Sequence, residues 1–526
     1  MDKKKSILNI SIAILTKIIV LILAFLVRKY LINYVGEDAA GVYSLYTSIV
    51  GFLAVADLGI GTAINFSLYK PILEGNKQKI AALYNLYKKT YLIIGAIILG
   101  AGLLVMPALP ILAKDYNSNF NLYLTFAIFL SSVALNYVYS SKTSLINAYK
   151  NNYITTLFNS IIIIIRRALQ IVVLIVWRSF ELYVTAEVVG TFVEWLLTEL
   201  YTRKHHKDVI FTNEKVDVST KKEVLKNTKA MFMHKIGAIL VNTADSIIIS
   251  AFISVVVLGK YSNYVLIVTA MISVLNLFFS PLTAIIGHLC AEGNIEEEKK
   301  YFRFMYFLNF VLGLVFFLGY YAIIDNIVAI WLKPDLVMGK TVPLIITINY
   351  FIQFMRQTTL LFRDATGTFY NDRWKPVLEG VINVGLSIAF VYWIGLVGVI
   401  VATIITNIFI CHIIDPLVLY KYGFKQKPTK YYLLNYGLIL VFGAALTATH
   451  FLLQNYNSEW KELFVNGSIS IAVSLIPIIA LFAISKTFRT NTIKLFRYFN
   501  NSIKKLFKKK PAKSTDATES ENKNKQ

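Results

Sequence analysis

Charged residues are scarce in this 526-residue chain, and so are cysteines. Only 16% of the residues are Asp, Glu, Lys or Arg, whereas 56% are hydrophobic, and the mean hydropathy is +0.59. This composition is typical of an integral membrane protein and needs no soluble domain to account for it. The two cysteines, Cys290 and Cys411, lie in or beside apolar runs, so a disulfide framework is not expected.

Acidic residues are few relative to basic ones, 30 against 53, which gives a net charge of +23. In a soluble protein this excess would suggest a nucleic acid partner. Here most basic residues lie in short loops between apolar runs, and positively charged loops mark the cytoplasmic side of a membrane protein. The sequence therefore predicts a multi-pass protein with both termini in the cytoplasm and no nucleic acid partner.

The apolar runs predict an all-α integral membrane protein with about 14 transmembrane helices, since about 20 apolar residues suffice to cross a bilayer. The eleventh and twelfth spans are expected to be separated between Trp393 and Leu396. The prediction divides the chain into an amino-terminal lobe with spans 1–6 (residues 1–203), a basic cytoplasmic linker (204–229), a carboxy-terminal lobe with spans 7–12 (230–420), spans 13 and 14 (421–486), and a cytoplasmic amphipathic basic helix with a disordered tail (487–526).

An internal repeat relates the two lobes. The string GVYSLY from Gly41 recurs as GKYSNY from Gly259, and EGN from Glu74 recurs as EGN from Glu292, both at an offset of 218 residues. Chance alignment of isoleucine-rich spans would not explain two separated polar motifs at one offset. Because the repeat holds an even number of spans, the two six-helix lobes should pair about an axis along the membrane normal and face a central cavity.

Two stretches carry a family resemblance. LVRKYLINYVGEDAAGVYSLYTSIVGFLAVADLGIGTAINFSLYKPILEGNKQKI, from Leu26, resembles the amino-terminal signature of Wzx-type polysaccharide flippases, and HKIGAILVNTADSIIISAFISVVVLGKYSNYVLI, from His234, is similar to their seventh and eighth spans. This polysaccharide transporter family belongs to the MOP superfamily, which also holds multidrug cation exporters and the lipid II flippase. The resemblance implies an alternating-access transporter of the bacterial cell membrane that moves polyprenyl pyrophosphate-linked oligosaccharide units for O-antigen, capsule or exopolysaccharide. Other polysaccharide assembly proteins are possible partners.

Five cations inside the spans suit an anionic lipid pyrophosphate. Lys17 and Arg28 are eleven residues apart and share one face of the first helix. Lys235 is the repeat partner of Lys17, and Arg166 and Arg167 interrupt the fifth span. Arginine binds phosphate oxygens with a forked geometry and lysine acts as a point charge. We predict that these residues line the cavity, with at most one of the arginine pair pointing straight at it. Internal salt bridges or snorkelling are the alternative.

Acidic residues inside the spans are candidates for coupling to an ion gradient, because a carboxylate that moves between wet and dry surroundings changes its proton affinity. These residues are Asp57, Asp245, Glu187 and Glu194. A proton or a sodium ion is the possible coupling ion. The alternative role is structural, since Asp57 could hold two helices together and Asp245 could neutralise Arg28.

Asp57 lies inside a largely apolar run that begins near Gly41 and is predicted to form the second span, from Gly41 to Leu68. In one continuous helix Tyr46 and Asp57 would fall within the same stripe. We predict that this stripe of residues lines a polar path.

The end of the chain has a different pattern. Apolar residues from Phe488 to Phe507 recur at helical spacing, with basic residues at other positions. This pattern predicts an amphipathic helix on the anionic lipids of the cytoplasmic leaflet.

No motif predicts an enzyme, a cofactor or a metal site. A GxxxxGK[ST] phosphate loop is missing from the sequence, so transport should draw on an ion gradient or on the gradient of the cargo. One alternative is an exporter of drug-like organic cations. A membrane glycan polymerase or ligase is another, but its chemistry would be expected to use a sizeable external loop.

Overall fold

The structure is a computed structural model. It describes residues 3–57, 60–212, 214–217, 221, 236–237, 239–241, 243–279, 282–453, 459–494 and 497. All regular structure in these residues is helical, and they contain no strand. The prediction of an all-α fold is therefore confirmed.

Seven main helices form the first half of the chain. They are α1 (Lys3–Tyr34), α2 (Glu37–Leu53), α3 (Ile60–Leu73), α4 (Lys77–Val105), α5 (Leu122–Ala148), α6 (Asn152–Val176) and α7 (Phe180–His205). Short helical turns lie at Ala54–Asp57, Met106–Ala108, Leu109–Leu112 and Lys207–Ile210. In this half α5 packs between α4 and α7, and α6 packs against α1 and α7.

The second half begins with an apolar helix at Ile239–Ile253, of which Ile249–Ile253 is a π-helical turn. It continues with α8 (Val255–Phe279), α9 (Leu282–Ala291), α10 (Ile295–Trp331), α11 (Thr341–Met355), α12 (Gln357–Ala365), α13 (Lys375–Thr406), α14 (His412–Val418), α15 (Thr429–Leu452) and α16 (Trp460–Ile484). Short turns lie at Pro334–Leu336, Thr368–Asp372, Asn407–Cys411 and Leu419–Gly423. Helix α10 lies at the centre of this half, where it contacts α11, α15 and α16.

Nine of the helices in the described residues are long and apolar enough to cross a membrane. The chain is thus a multi-pass membrane protein, and the count of fourteen spans stays a prediction. Helix α13 contains a break at Ile394 and Gly395, where the backbone leaves helical geometry. This break falls where the sequence separates the eleventh and twelfth spans.

The second predicted span is interrupted. Helix α2 ends at Leu53, a 3₁₀ turn covers Ala54–Asp57, and α3 starts at Ile60. The prediction of one continuous helix through Asp57 is therefore wrong. Asp and Gly are poor helix formers, and the sequence has Asp57, Gly59 and Gly61 close together.

The repeated EGN motif forms the same connection in both halves. Gly75 and Gly293 have positive φ angles of 67° and 71°, which glycine adopts without steric cost. The next residue, Asn76 or Asn294, caps the following helix by accepting a hydrogen bond from a backbone N–H three residues on. Asparagine is among the best residues for this position. The motif is thus a turn that ends one helix and starts α4 or α10.

The repeated glycines meet where α2 crosses α8. A Cβ atom on Gly41 would lie 1.9 Å from the carbonyl oxygen of Val255, and one on Gly259 would lie 2.5 Å from that of Glu37. Glu37 and Val255 are themselves equivalent in the repeat, so the two contacts are symmetric. The backbones of the two halves touch here, with an ion pair of 3.5 Å between Lys260 and Glu37 beside them.

A methyl group at this crossing should destabilise the protein. We expect Gly41→Ala to lower stability by about 1–3 kcal/mol, because the neighbouring atoms are backbone and cannot turn aside. Gly100→Ala is the matched control, since no atom lies within 4 Å of its added Cβ and alanine favours a helix. Thermal unfolding in detergent measures both. Equal melting of the two variants would contradict the close crossing.

Candidate functional site

Helix α1 lies along the seam between the two halves. The Lys17 ammonium donates a hydrogen bond of 3.2 Å to the carbonyl oxygen of Ser273. The Arg28 guanidinium donates to the hydroxyl of Ser262 and, at 3.1 Å, to the carbonyl oxygen of Ala40. Both serines belong to α8, so the two cations span the seam. Lys17 and Arg28 share one face of α1, as the sequence predicts.

A buried carboxylate holds the two arginines of α6. Glu187 of α7 is 6% exposed, and its oxygens lie 2.7 Å from Arg166 and 3.8 Å from Arg167. The same carboxylate accepts hydrogen bonds of 2.9 Å from Tyr43 and from Gln170. Glu187 is therefore surrounded by donors.

Both arginines turn toward the same acid although consecutive helical positions point about 100° apart. Arg166 passes over Gly190, where a Cβ atom would lie 2.8 Å from its Cδ. Arg167 also donates a hydrogen bond of 2.9 Å to Gln170. The long side chains thus compensate for the angle between the Cα–Cβ bonds. The prediction that at most one of Arg166 and Arg167 points at the cavity rests on these bond directions alone.

We call Arg28, Arg166, Arg167, Glu187 and Tyr43 the cationic cluster. Arg28 is near enough to Arg167 for the two charges to repel. Arg166 and Arg167 share the Glu187 carboxylate, and Arg28 adds a third guanidinium beside Arg167, so the named residues of the cluster carry an excess of positive charge. The Nε atoms of Arg166 and Arg167 are buried and have no hydrogen-bond partner in the described part of the chain. Unpaired buried donors are costly, and an anion would satisfy them.

Buried cations in the second half have matching acids. Arg356 and Lys375 lie 3.0 Å and 2.9 Å from Asp415, which is fully buried. Arg363 lies 2.7 Å from Asp372. Glu379 lies 3.4 Å from Lys375 and 3.6 Å from Arg356, so three buried acids match the three cations and these residues carry no excess positive charge. This network is a structural feature, in contrast to the cationic cluster.

The remaining predicted residues of the first half lie elsewhere. Glu194 lies two turns along α7 from Glu187 and accepts a hydrogen bond of 3.3 Å from Asn159. Tyr46 is fully buried and donates to the carbonyl oxygen of Leu122 at 2.7 Å. It therefore packs inside the first half, and the predicted stripe of Tyr46 and Asp57 is not a path lining. Asp57 lies near tyrosines of α4 and α5, which agrees with a structural role.

Asp245 does not neutralise Arg28, and that alternative is wrong. Its Oδ2 atom accepts a hydrogen bond of 3.1 Å from Thr403, and Asn383 donates to the same hydroxyl at 2.9 Å. The Oδ1 atoms of Asp245 and Asn383 and the hydroxyl of Ser387 are buried, and none of them has a hydrogen-bond partner among the residues that the structure describes. Ser387 follows Asn383 by one helical turn, so both lie on one face of α13. We call these four residues the Asp245 site. Lys235 lies outside the described residues.

Comparison with known proteins identifies the fold. A family model described as "Polysaccharide biosynthesis protein" matches residues 6–286. The lipid II flippase MurJ in an inward closed conformation is similar in structure, with a TM-score of 0.62 and 15% sequence identity over 90% of this chain and 98% of that chain. A multidrug resistance MATE family transporter of the MOP superfamily, in an inward-facing conformation, gives a TM-score of 0.58 and 14% identity over 81% and 95%.

A search among curated proteins finds no significant sequence match. At these identities, the two solved structures show a shared fold and leave the cargo open. The fold agrees with the superfamily that the sequence resemblance implies.

Removing the acid from the cationic cluster should destabilise the first half. We expect Glu187→Gln to cost about 3–5 kcal/mol, because Arg166 and Arg167 would be left without a counter-charge. Glu194→Gln is the matched control on the same helix, because its observed partners, Asn159 and Tyr139, are neutral. Thermal unfolding in detergent checks both variants. If Glu187→Gln and Glu194→Gln have the same melting temperature, Glu187 does not hold the arginines.

Proposed function

Because this chain belongs to the polysaccharide biosynthesis protein family, we propose that it is a flippase for polyprenyl pyrophosphate-linked oligosaccharides. It moves them from the cytoplasmic to the outer leaflet of the bacterial cell membrane. The observation that carries the proposal is the cationic cluster, where Arg166 and Arg167 share the Glu187 carboxylate and Arg28 adds a third guanidinium inside a membrane protein. An intramembrane charge excess is expensive and marks a functional site. The shared fold with a lipid II flippase supports the same class of cargo.

The arginines provide the chemistry that a pyrophosphate requires. Guanidinium N–H groups bind phosphate oxygens through short, charge-assisted hydrogen bonds. The unpaired Nε donors of Arg166 and Arg167 receive the phosphates, while Glu187 keeps both side chains in place before the cargo arrives. Arg28 links this cluster to α8 through Ser262, so it contacts both halves. Lys17 adds a further cation to the seam, eleven residues before Arg28 on α1.

Transport proceeds by alternating access between the two halves. The crossing of α2 and α8 joins the two halves at the end where α2 begins. With the termini in the cytoplasm, this is the outer end, so the crossing closes the outer side and the cargo enters from the cytoplasm. Opening it separates Glu37 from Lys260 and moves Ser262 away from Arg28. The hydrogen bond between Arg28 and Ser262, next to the bound phosphate, therefore breaks during transport.

The alternatives fit the site less well. A cluster with excess positive charge repels an organic cation, which disfavours a drug exporter. The fold is shared with transporters, so a transporter is also better supported than a glycan polymerase or ligase.

The Asp245 site is the proposed coupling site. A carboxylate, a hydroxyl and an amide oxygen are hard ligands suited to a small cation or a proton. Only one acid is present, which favours a monovalent ion. No group of three His, Cys, Asp or Glu residues that could hold a metal occurs in the described residues. The unpaired oxygens of Asp245 and Asn383 supply the free ligand positions.

Loss of a guanidinium should slow transfer of the cargo. We expect Arg28→Gln and Arg167→Gln each to reduce transfer about ten- to a hundredfold, since one charge-assisted hydrogen bond contributes about 1.5–3 kcal/mol. The measurement is movement of a fluorescent polyprenyl pyrophosphate oligosaccharide across liposomes. Lys88→Gln is the control, because this lysine of α4 is exposed. Unchanged rates in folded arginine variants, or uptake of an organic cation instead, would reject the flippase.

Neutralising Asp245 should uncouple transport from the gradient. In liposomes with an imposed sodium or proton gradient, we expect the gradient that drives the wild type to have no effect on Asp245→Asn, while transfer down the cargo gradient persists. Asp325→Asn is the matched control, because this acid accepts a hydrogen bond of 2.6 Å from Tyr264 and lies outside the Asp245 site. An Asp245 variant that still responds to the gradient would refute the coupling role.

A further inference from the structure

A basic cavity lies in the second half of the protein, away from the cationic cluster. It has a volume of about 230 Å³ and lies where α10 and α15 begin, beside residue Thr487 near the end of the described chain. A water molecule occupies about 30 Å³ of liquid, so the cavity has room for a phosphate group and part of its ester. None of the residues of the cationic cluster or of the Asp245 site lines it.

Basic residues dominate the rim of this cavity. They are Lys299, Lys300, Arg303, Lys427 and Lys430, and the one acid that lines the cavity is Glu296. Lys299 pairs with Glu296 at 2.7 Å and Lys300 with Glu297 at 2.8 Å. In the described part of the chain no acid lies within 4 Å of the other three cations. Helices α10 and α15 both begin here, and helix amino termini add partial positive charge.

The floor of the cavity is aromatic and rigid. Tyr306 and Tyr431 are buried with ring centroids 5.2 Å apart, and Phe302 stacks on Tyr306 at 5.8 Å. The Tyr306 hydroxyl donates to Asn435, and the Tyr431 hydroxyl lies 3.1 Å from that of Thr359. The hydroxyls of the floor therefore have partners in the protein. A cationic rim over an apolar floor suits a ligand with a charged head and an apolar body.

The position of the cavity along the helices identifies the kind of ligand. The apolar helices α10 and α15, both long enough to cross the membrane, start at its rim, so the basic rim lies at the level where lipid headgroups meet the hydrocarbon. Basic pockets between transmembrane helices at this level bind acidic headgroups. A soluble phosphate would use the cations alone and would gain nothing from the aromatic floor.

We propose that this cavity binds the phosphate headgroup of an anionic phospholipid. Arg303 and Lys430 contact the phosphate, and the first carbons of the lipid lie on Phe302 and Tyr431. The site also borders the carboxy-terminal segment, because Thr487 lines the cavity and Phe488 packs at 6.0 Å against Phe307. A bound lipid therefore fastens this segment to the second half. The proposal does not depend on the identity of the transported cargo.

Lipid binding by the purified full-length protein tests the proposal. Native mass spectrometry during titration with phosphatidylglycerol gives the number of bound lipids and their affinities. We expect one tight site in the wild type that becomes about thirtyfold weaker in Arg303→Gln/Lys430→Gln, since each basic residue near an anionic headgroup contributes about 1 kcal/mol. The charge-conserving Arg303→Lys/Lys430→Arg should retain most of the affinity.

Three controls make the outcome decisive. Lys88→Gln/Lys89→Gln removes two exposed lysines of α4 and should leave the tight site unchanged. Phosphatidylcholine and inorganic phosphate should neither occupy the site nor displace phosphatidylglycerol. Equal affinity of wild type and the Arg303/Lys430 glutamine variant, equal binding of phosphatidylcholine, or displacement by inorganic phosphate would each overturn the proposal. Matching melting curves exclude misfolding as the cause of a loss.

Discussion

The contact on which the structure depends is the backbone crossing of α2 and α8. Gly41 and Gly259 are equivalent residues of an internal repeat, and each leaves space for a carbonyl group of the opposite half. Without side chains at these positions the helices approach closely, as small residues allow in membrane proteins generally. Ser262 lies one turn beyond Gly259, so the crossing also fixes the partner of Arg28. The geometry of the seam and the position of its cations thus follow from one pair of glycines.

The two halves treat buried charge differently. In the second half, Arg356 and Lys375 lie against Asp415 and Glu379, and the four charges cancel. In the first half, Arg166 and Arg167 share Glu187 and Arg28 lies beside Arg167, and no second acid lies within 4 Å of these arginines in the described residues. Since an uncompensated charge in a low-dielectric interior is costly, such an imbalance persists only where a ligand brings the missing negative charge. This asymmetry within a symmetric repeat is the strongest indication that the cargo is anionic.

Much of the fold could be predicted from the sequence because its signals are local. Apolar run length gave the helical membrane fold, the offset of 218 gave the repeat, and helical spacing placed Lys17 and Arg28 on one face. The pairing of Glu187 with two arginines could not be predicted, because it depends on the register of α6 against α7. The break before Asp57 was missed because hydropathy is insensitive to helix propensity. The unpaired oxygens at Asp245 depend on which face of α13 packs against it, which periodicity alone does not reveal.

The proposed function depends on one property of the protein: the cationic cluster binds the anionic head of a lipid-linked cargo. The most direct test is an experimental structure of the protein with a bound polyprenyl pyrophosphate oligosaccharide. We predict that phosphate oxygens lie within hydrogen-bonding distance, about 2.7–3.2 Å, of Arg166 or Arg167, and that Arg28 faces the same pyrophosphate. A pyrophosphate bound elsewhere, with the two Nε donors still unpaired, would contradict it.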